Sequence, residues 1–348
     1  MKKKKLPIDL NVIPEEDLLK TRLCDLPVTI EGTWVKECVD QLYQELSSKG
    51  ILFNPVCYWA DEWLTPEGET CIGVPFYLAH PRLMQLEKKM MEEVEGGTKA
   101  DCMKLLRHEA GHAICYAYKL NKRREWQNIF GLSTEEYKDT YKYQRYSKNY
   151  VHHLKGFYAQ YHPDEDFVET FAVWLTPDTD WQKKYQGWRA SQKLDYVDHL
   201  MRSIKGKKPL CVKAHQWWRL ATLKITLENY YKKRRISLAE EFPDFHDNFL
   251  KKVFLSPSLD HAKKAKASVF FQQYRIDLIE AVSAVSSQKK YLIEEILTQM
   301  EKRAKALRLE IKQDDIKTIL QTASYLTALM MNYFYVGRLR PKKAQKRK

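Results

Sequence analysis

The chain has 348 residues, 44% hydrophobic and 30% charged, a globular composition rather than a disordered one. Glycine fills only 12 positions, which argues against a glycine-rich nucleotide loop, a collagen-like chain and a turn-dense β-barrel, and favours a helix-rich fold. The formal net charge is +14, and its distribution is uneven. Residues 1–100 hold 12 Lys and Arg against 17 Asp and Glu, 101–200 hold 15 against 14, and the remainder holds 32 against 14. An excess confined to the C-terminal half points to an anionic partner there, or to solvated basic helix faces.

Met1 to Leu6 carries four lysines, but Pro7, Asp9, Asn11 and Glu15 follow where an apolar h-region would stand, so no cleavable signal peptide is expected. No apolar run approaches the roughly 18 residues of a membrane-spanning helix. Seven dispersed cysteines with no CxxC pair read as reduced, cytoplasmic thiols. A Cys57–Cys71 disulfide across a hairpin is the alternative, disfavoured by that compartment.

Val39, Leu42, Tyr43 and Leu46 recur at helical spacing, and Gly50 ends that helix. The β-rich run Ile51–Trp59, a turn at Pro66-Glu67-Gly68 and the apolar run Cys71–Leu78 read as a hairpin. Its second strand is an edge, because Pro75 has no N–H to donate. A helix begins at His80-Pro81 and stops near Gly96-Gly97. Thr98 or Asp101 caps the next, which runs to about Lys119. A polar connection over 121–150 leads to a helix from Pro163 that ends before Pro177. Beyond 212 the chain reads as almost all helix, with Trp217, Leu220, Leu223, Leu227 and Tyr230 at helical spacing, long helices over 262–336, and a basic tail.

The sharpest local signal is His108-Glu109-Ala110-Gly111-His112. On a helix, residues i and i+4 project from one face, so two imidazole nitrogens reach one zinc ion at about 2.0–2.1 Å. Glu109 beside the first ligand is placed to take the proton of the attacking water. Catalytic zinc uses three protein ligands. Downstream, Glu165 and Glu169 share a face on a helix opened by Pro163. One serves as the third ligand and the other holds the N–H of a ligating histidine; Glu165 is the preferred ligand, and the reverse assignment stays open. Tyr158, or less favourably Tyr161, supplies a hydroxyl to a developing oxyanion.

With Asp61–Gly68, Val74–Leu83, Leu105–Ala113 and His162–Leu175 in this order, the chain resembles the bacterial zinc-binding metallopeptidases, a branch of the gluzincin-type zincins. The resemblance spans about 55–200. It implies a zincin-like fold, Zn²⁺ as cofactor and a peptide substrate. It implies His108, His112 and Glu165 as ligands, Glu109 as general base, Glu169 as the outer carboxylate, and Tyr158 as the oxyanion donor by similarity to a toxin-type branch. It also implies a cleft bordered by an edge strand that pairs with substrate. Some members carry an N-terminal zinc ribbon, which the absence of CxxC rules out here.

The expected architecture is α+β and predominantly helical. An N-terminal segment with one helix fills 1–50, a zincin-like core with a small sheet or hairpin 51–210, a helical domain 211–336, and a basic mobile tail 337–348. The expected function is zinc-dependent peptide hydrolysis in the cytoplasm. Two rivals are a basic protein that binds nucleic acid or another polyanion on the same scaffold, and a zinc amidase acting on a small-molecule amide.

Overall fold

The computed structural model describes residues 8–91, 93–137, 144, 146–234, 245–256, 265–312 and 314–336. The chain divides into two units. The first comprises residues up to Glu87 and Val94–Tyr230, and the second Lys88–Glu93 and the chain from Tyr231. The basic tail read over 337–348 lies outside the described residues, as do the lysine-rich N-terminus and part of the 121–150 connection.

The first unit holds α1 (Glu15–Lys20), α2 (Trp34–Ser48), β1 (Val56–Ala60), β2 (Cys71–Pro75), most of α3 (Pro81–Met91), α4 (Lys99–Ala117), α5 (Arg124–Phe130), α6 (Pro163–Leu175), α7 (Trp181–Lys184), α8 (Arg189–Ile204) and the start of α9 (Leu227–Arg234). The fold class is as expected: the chain is predominantly helical, with two small two-stranded sheets among the described residues. None of the described helices is long and apolar enough to cross a membrane.

The sequence accounts for the helix limits. Thr33 caps α2 by accepting from Lys36 N at 3.3 Å, and Gly50 follows its end at φ +75°. Thr98 caps α4 by accepting from Asp101 N at 3.2 Å. Pro163 opens α6, and the His162 side chain accepts from Asp164 N at 3.1 Å.

α4 packs against α2 on one side and α6 on another, and α6 also packs against α8. α4 and α6 are almost wholly buried, so their polar side chains need partners inside the fold. Arg107 of α4 makes two hydrogen bonds to Glu45 of α2, at 2.7 and 2.8 Å, with both residues buried. Removing one partner leaves a buried charge uncompensated. Arg107→Met is therefore expected to lower unfolding free energy by about 3–5 kcal/mol. Adding Glu45→Leu should recover most of that loss in denaturant titrations, and a double variant no more stable than the single one would refute the pairing.

The hairpin expectation is corrected. β1 and β2 run parallel, with Val56 opposite Cys71 and Ala60 opposite Pro75. The 61–70 connection crosses over and lays Leu64 antiparallel on the far side of β2, where Leu64 and Gly73 exchange both backbone hydrogen bonds at 3.2 and 2.8 Å. β2 is buried at all five positions, and at Gly73 the Leu64 bridge covers its other side. Pro75 is accommodated at the last position of the strand, where the chain turns into a 3-10 segment, Phe76–Ala79. Gly73 fits because a Cβ there would stand 2.4 Å from the Leu64 side chain and 2.9 Å from that of Ala60. Cys57 and Cys71 are both free thiols.

The helix expected around Trp217–Tyr230 is also corrected. Residues 207–219 are non-helical, only Leu220–Thr222 forms a 3-10 turn, and α9 starts at Leu227. This stretch finds its hydrogen bonds in earlier elements. Thr70 N donates to Lys213 O at 2.7 Å, Cys24 N to Leu223 O and Leu23 N to Ile225 O, each at 2.9 Å. Long-range pairing has overridden an apolar spacing that mimics a helix.

The second unit contains α10 (Asp247–Val253), β3 (Phe254–Leu255), α11 (Ala267–Gln273), α12 (Arg275–Ser286), α13 (Lys290–Ala306), β4 (Glu310–Ile311) and α14 (Asp315–Val336). Its core is apolar and contiguous, built from residues such as Phe254, Phe271, Leu278, Ile293, Leu297, Met300 and Met330.

Candidate metal centre

α4 and α6 meet along the motif. At Gly111 an added Cβ would lie 2.9 Å from Val168 Cβ and 3.1 Å from Val168 Cα, so the glycine lets the two helices approach. That approach brings Glu165 and Glu169 of α6 against the two histidines of α4. Gly111→Ala must push α6 outward, at a cost of about 1–3 kcal/mol in stability. It should lower metal affinity as well as the melting temperature; a full-affinity, fully stable variant would contradict this packing.

The ligand atoms offered by His108, His112 and Glu165 all lie within 4.8 Å of one another, and all three residues are buried. Glu165 Oε2 is 3.2 Å from His108 Nε2 and 3.5 Å from His112 Nε2. Two ligands at about 2.1 Å from a tetrahedral ion stand about 3.4 Å apart, so these separations suit one small cation. Oε2 has no hydrogen-bond partner, whereas Oε1 accepts from Tyr137 Oη at 3.0 Å. A buried carboxylate oxygen left open toward two imidazoles fits a metal ion, and the N, N, O donor set fits zinc.

Glu169 has the other task. Its Oε1 is 2.8 Å from His108 Nδ1, and its Oε2 accepts from Leu154 N at 2.9 Å. The backbone bond fixes the carboxylate, and the carboxylate fixes the His108 ring with Nδ1 carrying the proton and Nε2 free to ligate. The geometry therefore puts Glu165 between the two imidazoles and Glu169 behind one of them.

The electrostatics ask for a positive charge at this point. Burial alone would lower the His108 imidazole, yet Glu165 and Glu169 raise it well above its usual range. Burial alone would raise Glu165, yet the His112 and His108 imidazoles hold it far below the ordinary carboxylate range. A divalent cation held here would supply that charge.

A cavity of about 550 Å³ opens over the group, lined by Trp63, Thr65, Glu109, Tyr116, Tyr158 and Asp164 among others. A hollow of about 670 Å³ along α2, lined by Glu37, Asp40 and Lys99 among others, includes none of these residues. Glu109 is buried, which raises its carboxyl above the usual value, and Thr65 Oγ1 donates to its backbone carbonyl at 3.2 Å. The Tyr158 ring centre is 5.7 Å from that of His108. Tyr161 packs on Tyr158 at 5.6 Å and does not line the cavity. The segment bordering the cavity is 63–67, not the buried strand β2.

Sequence reasoning missed Tyr137, Thr65 and the position of Asp164. Thr65 lies in one of the blocks that carry the resemblance. Asp164 is one of the acids at the start of α6, which capping alone explains. Tyr137 is one of 21 tyrosines in a polar connection, and no local pattern marks it. It reaches Glu165 while its ring stacks on that of His162 at 3.8 Å.

Residues 89–222 match the family model described as “Putative zinc-binding metallo-peptidase”. No curated protein and no solved structure matches the chain.

Proposed function

We propose that this chain is a metallopeptidase that hydrolyses peptide bonds, with His108, His112 and Glu165 holding zinc and Glu109 acting as general base. The observation that carries the reading is the convergence of three buried ligand atoms beneath a cavity that Glu109 also lines. Zinc, when bound, polarises the scissile carbonyl and lowers the pKa of water toward neutrality. Glu109 accepts a proton from the attacking water and passes it to the leaving amine. Burial raises its carboxyl above the usual value, the direction that favours a base working near neutrality. Glu169 keeps His108 in the ligating tautomer. Tyr158 donates to the oxyanion as the carbonyl becomes tetrahedral, the point at which preorganised donors contribute most.

The test is metal removal. Hydrolysis of a fluorogenic peptide library should vanish on dialysis against a chelator and return on adding zinc back. Activity that survives complete loss of zinc would overturn the reading.

A further inference from the structure

We propose that the cleft selects a substrate with a cationic group, an ammonium or a guanidinium, beside the scissile bond, and that Asp164 is the residue that recognises it. This rests on the hydrolytic reading and adds a substrate class to it.

The chain is strongly basic, with 59 Lys and Arg against 45 Asp and Glu, but the cavity is the reverse. Among the described residues, its lining includes the carboxylates of Glu67, Glu109, Glu135, Asp164 and Glu165 and no lysine or arginine. Glu165 belongs to the metal group and Glu109 to proton transfer. Hydrolysis gives no task to the other three. Glu67 and Glu135 are exposed and come from two different segments, the 61–70 connection and the stretch before Tyr137. Asp164 is only 6% exposed.

Among the described residues, Asp164 makes no ion pair with a lysine or arginine. Its Oδ1 has no hydrogen-bond partner. Its Oδ2 lies 3.9 Å from His162 Nδ1, but that nitrogen accepts the Asp164 backbone N–H and so carries no proton. His162 Nε2 lies 2.9 Å from Glu135 O. A buried carboxylate bordering a cavity, with no lysine or arginine partner among the described residues, favours an incoming cation: desolvated charge pairs discriminate far more than exposed ones.

The experiment uses the zinc-loaded full chain and quenched peptides of one scaffold. Lys, norleucine or Glu is placed on either side of the scissile bond, and each peptide is made with a free and an acetylated N-terminus. The Lys to norleucine ratio of kcat/KM should be at least about tenfold in wild type, as expected for a buried charge partner. It should fall toward unity in Asp164→Asn. Zinc content, measured on every variant, separates lost selectivity from lost metal. If Asp164→Asn does not fold, the rim variants Glu67→Gln and Glu135→Gln should each lower the ratio in part. Preference for the free over the acetylated terminus, with Lys and norleucine equal, would identify the cation as the substrate's own α-amine. Equal rates for all charges in wild type, or an undiminished ratio in Asp164→Asn, would overturn the proposal. A second arm measures peptide binding to zinc-loaded Glu109→Gln by calorimetry. Tighter binding of the cationic peptide there, with no cleavage by wild type, would keep the selectivity and reject the peptidase reading.

Discussion

Glu109→Gln should leave zinc content at the wild-type level and reduce peptide hydrolysis by about 10²–10⁴-fold, the usual contribution of a positioned general base. Glu109 is not among the three residues whose ligand atoms converge, so amide substitution leaves the metal group intact. What the amide cannot do is accept and return a proton. The loss should appear in kcat more than in KM, because the carboxylate works as the carbonyl becomes tetrahedral. A variant that loses zinc and activity together would make Glu109 a ligand and refute its role as base. A variant that keeps full activity would end the proposed mechanism.

The second large effect concerns the metal itself. His112→Ala removes one of the three converging groups, and zinc binding should be lost with activity. Glu169→Gln is the informative companion. Glu169 now accepts from two donors, His108 Nδ1 and Leu154 N. An amide offers one oxygen and one NH₂, so one donor is left facing another donor. Zinc affinity should fall by about 10–100-fold, as for outer partners of metal-bound histidines, yet not vanish. Competition with a chromogenic chelator measures both. Equal affinity in wild type and His112→Ala would sink the site, and complete loss in Glu169→Gln would exchange the roles of the two glutamates.

The contrast between helices and strands shows what the sequence could reveal. α4 and α6 were legible because their signals are local. Thr98 as cap, Pro163 at the first turn and a four-residue histidine spacing each act within a single helix. The pair Glu165 and Glu169 was legible as a pair for the same reason. Which glutamate faces which atom depended on the rotation of α6 about its axis, set by the close contact of Gly111 with Val168, and no local pattern encodes that. The β region was misread because a turn signal at Pro66-Glu67-Gly68 resembles a hairpin. In fact that turn joins Leu64 to Gly73 antiparallel, and β1, which precedes Leu64, pairs with β2 in parallel. Trp217–Tyr230 carried a helical spacing but gained more from pairing with backbone groups of residues 21–24. Tyr137 was invisible because its role is a contact across 28 residues with no spacing rule.

The central claim is that His108, His112 and Glu165 form one metal centre, and zinc stoichiometry by elemental analysis tests it most directly. The purified chain, dialysed against zinc and then against metal-free buffer, should hold about one zinc, with Glu165→Ala holding far less under the same treatment. Zinc absent from the wild type, or equal zinc in wild type and Glu165→Ala, would contradict it.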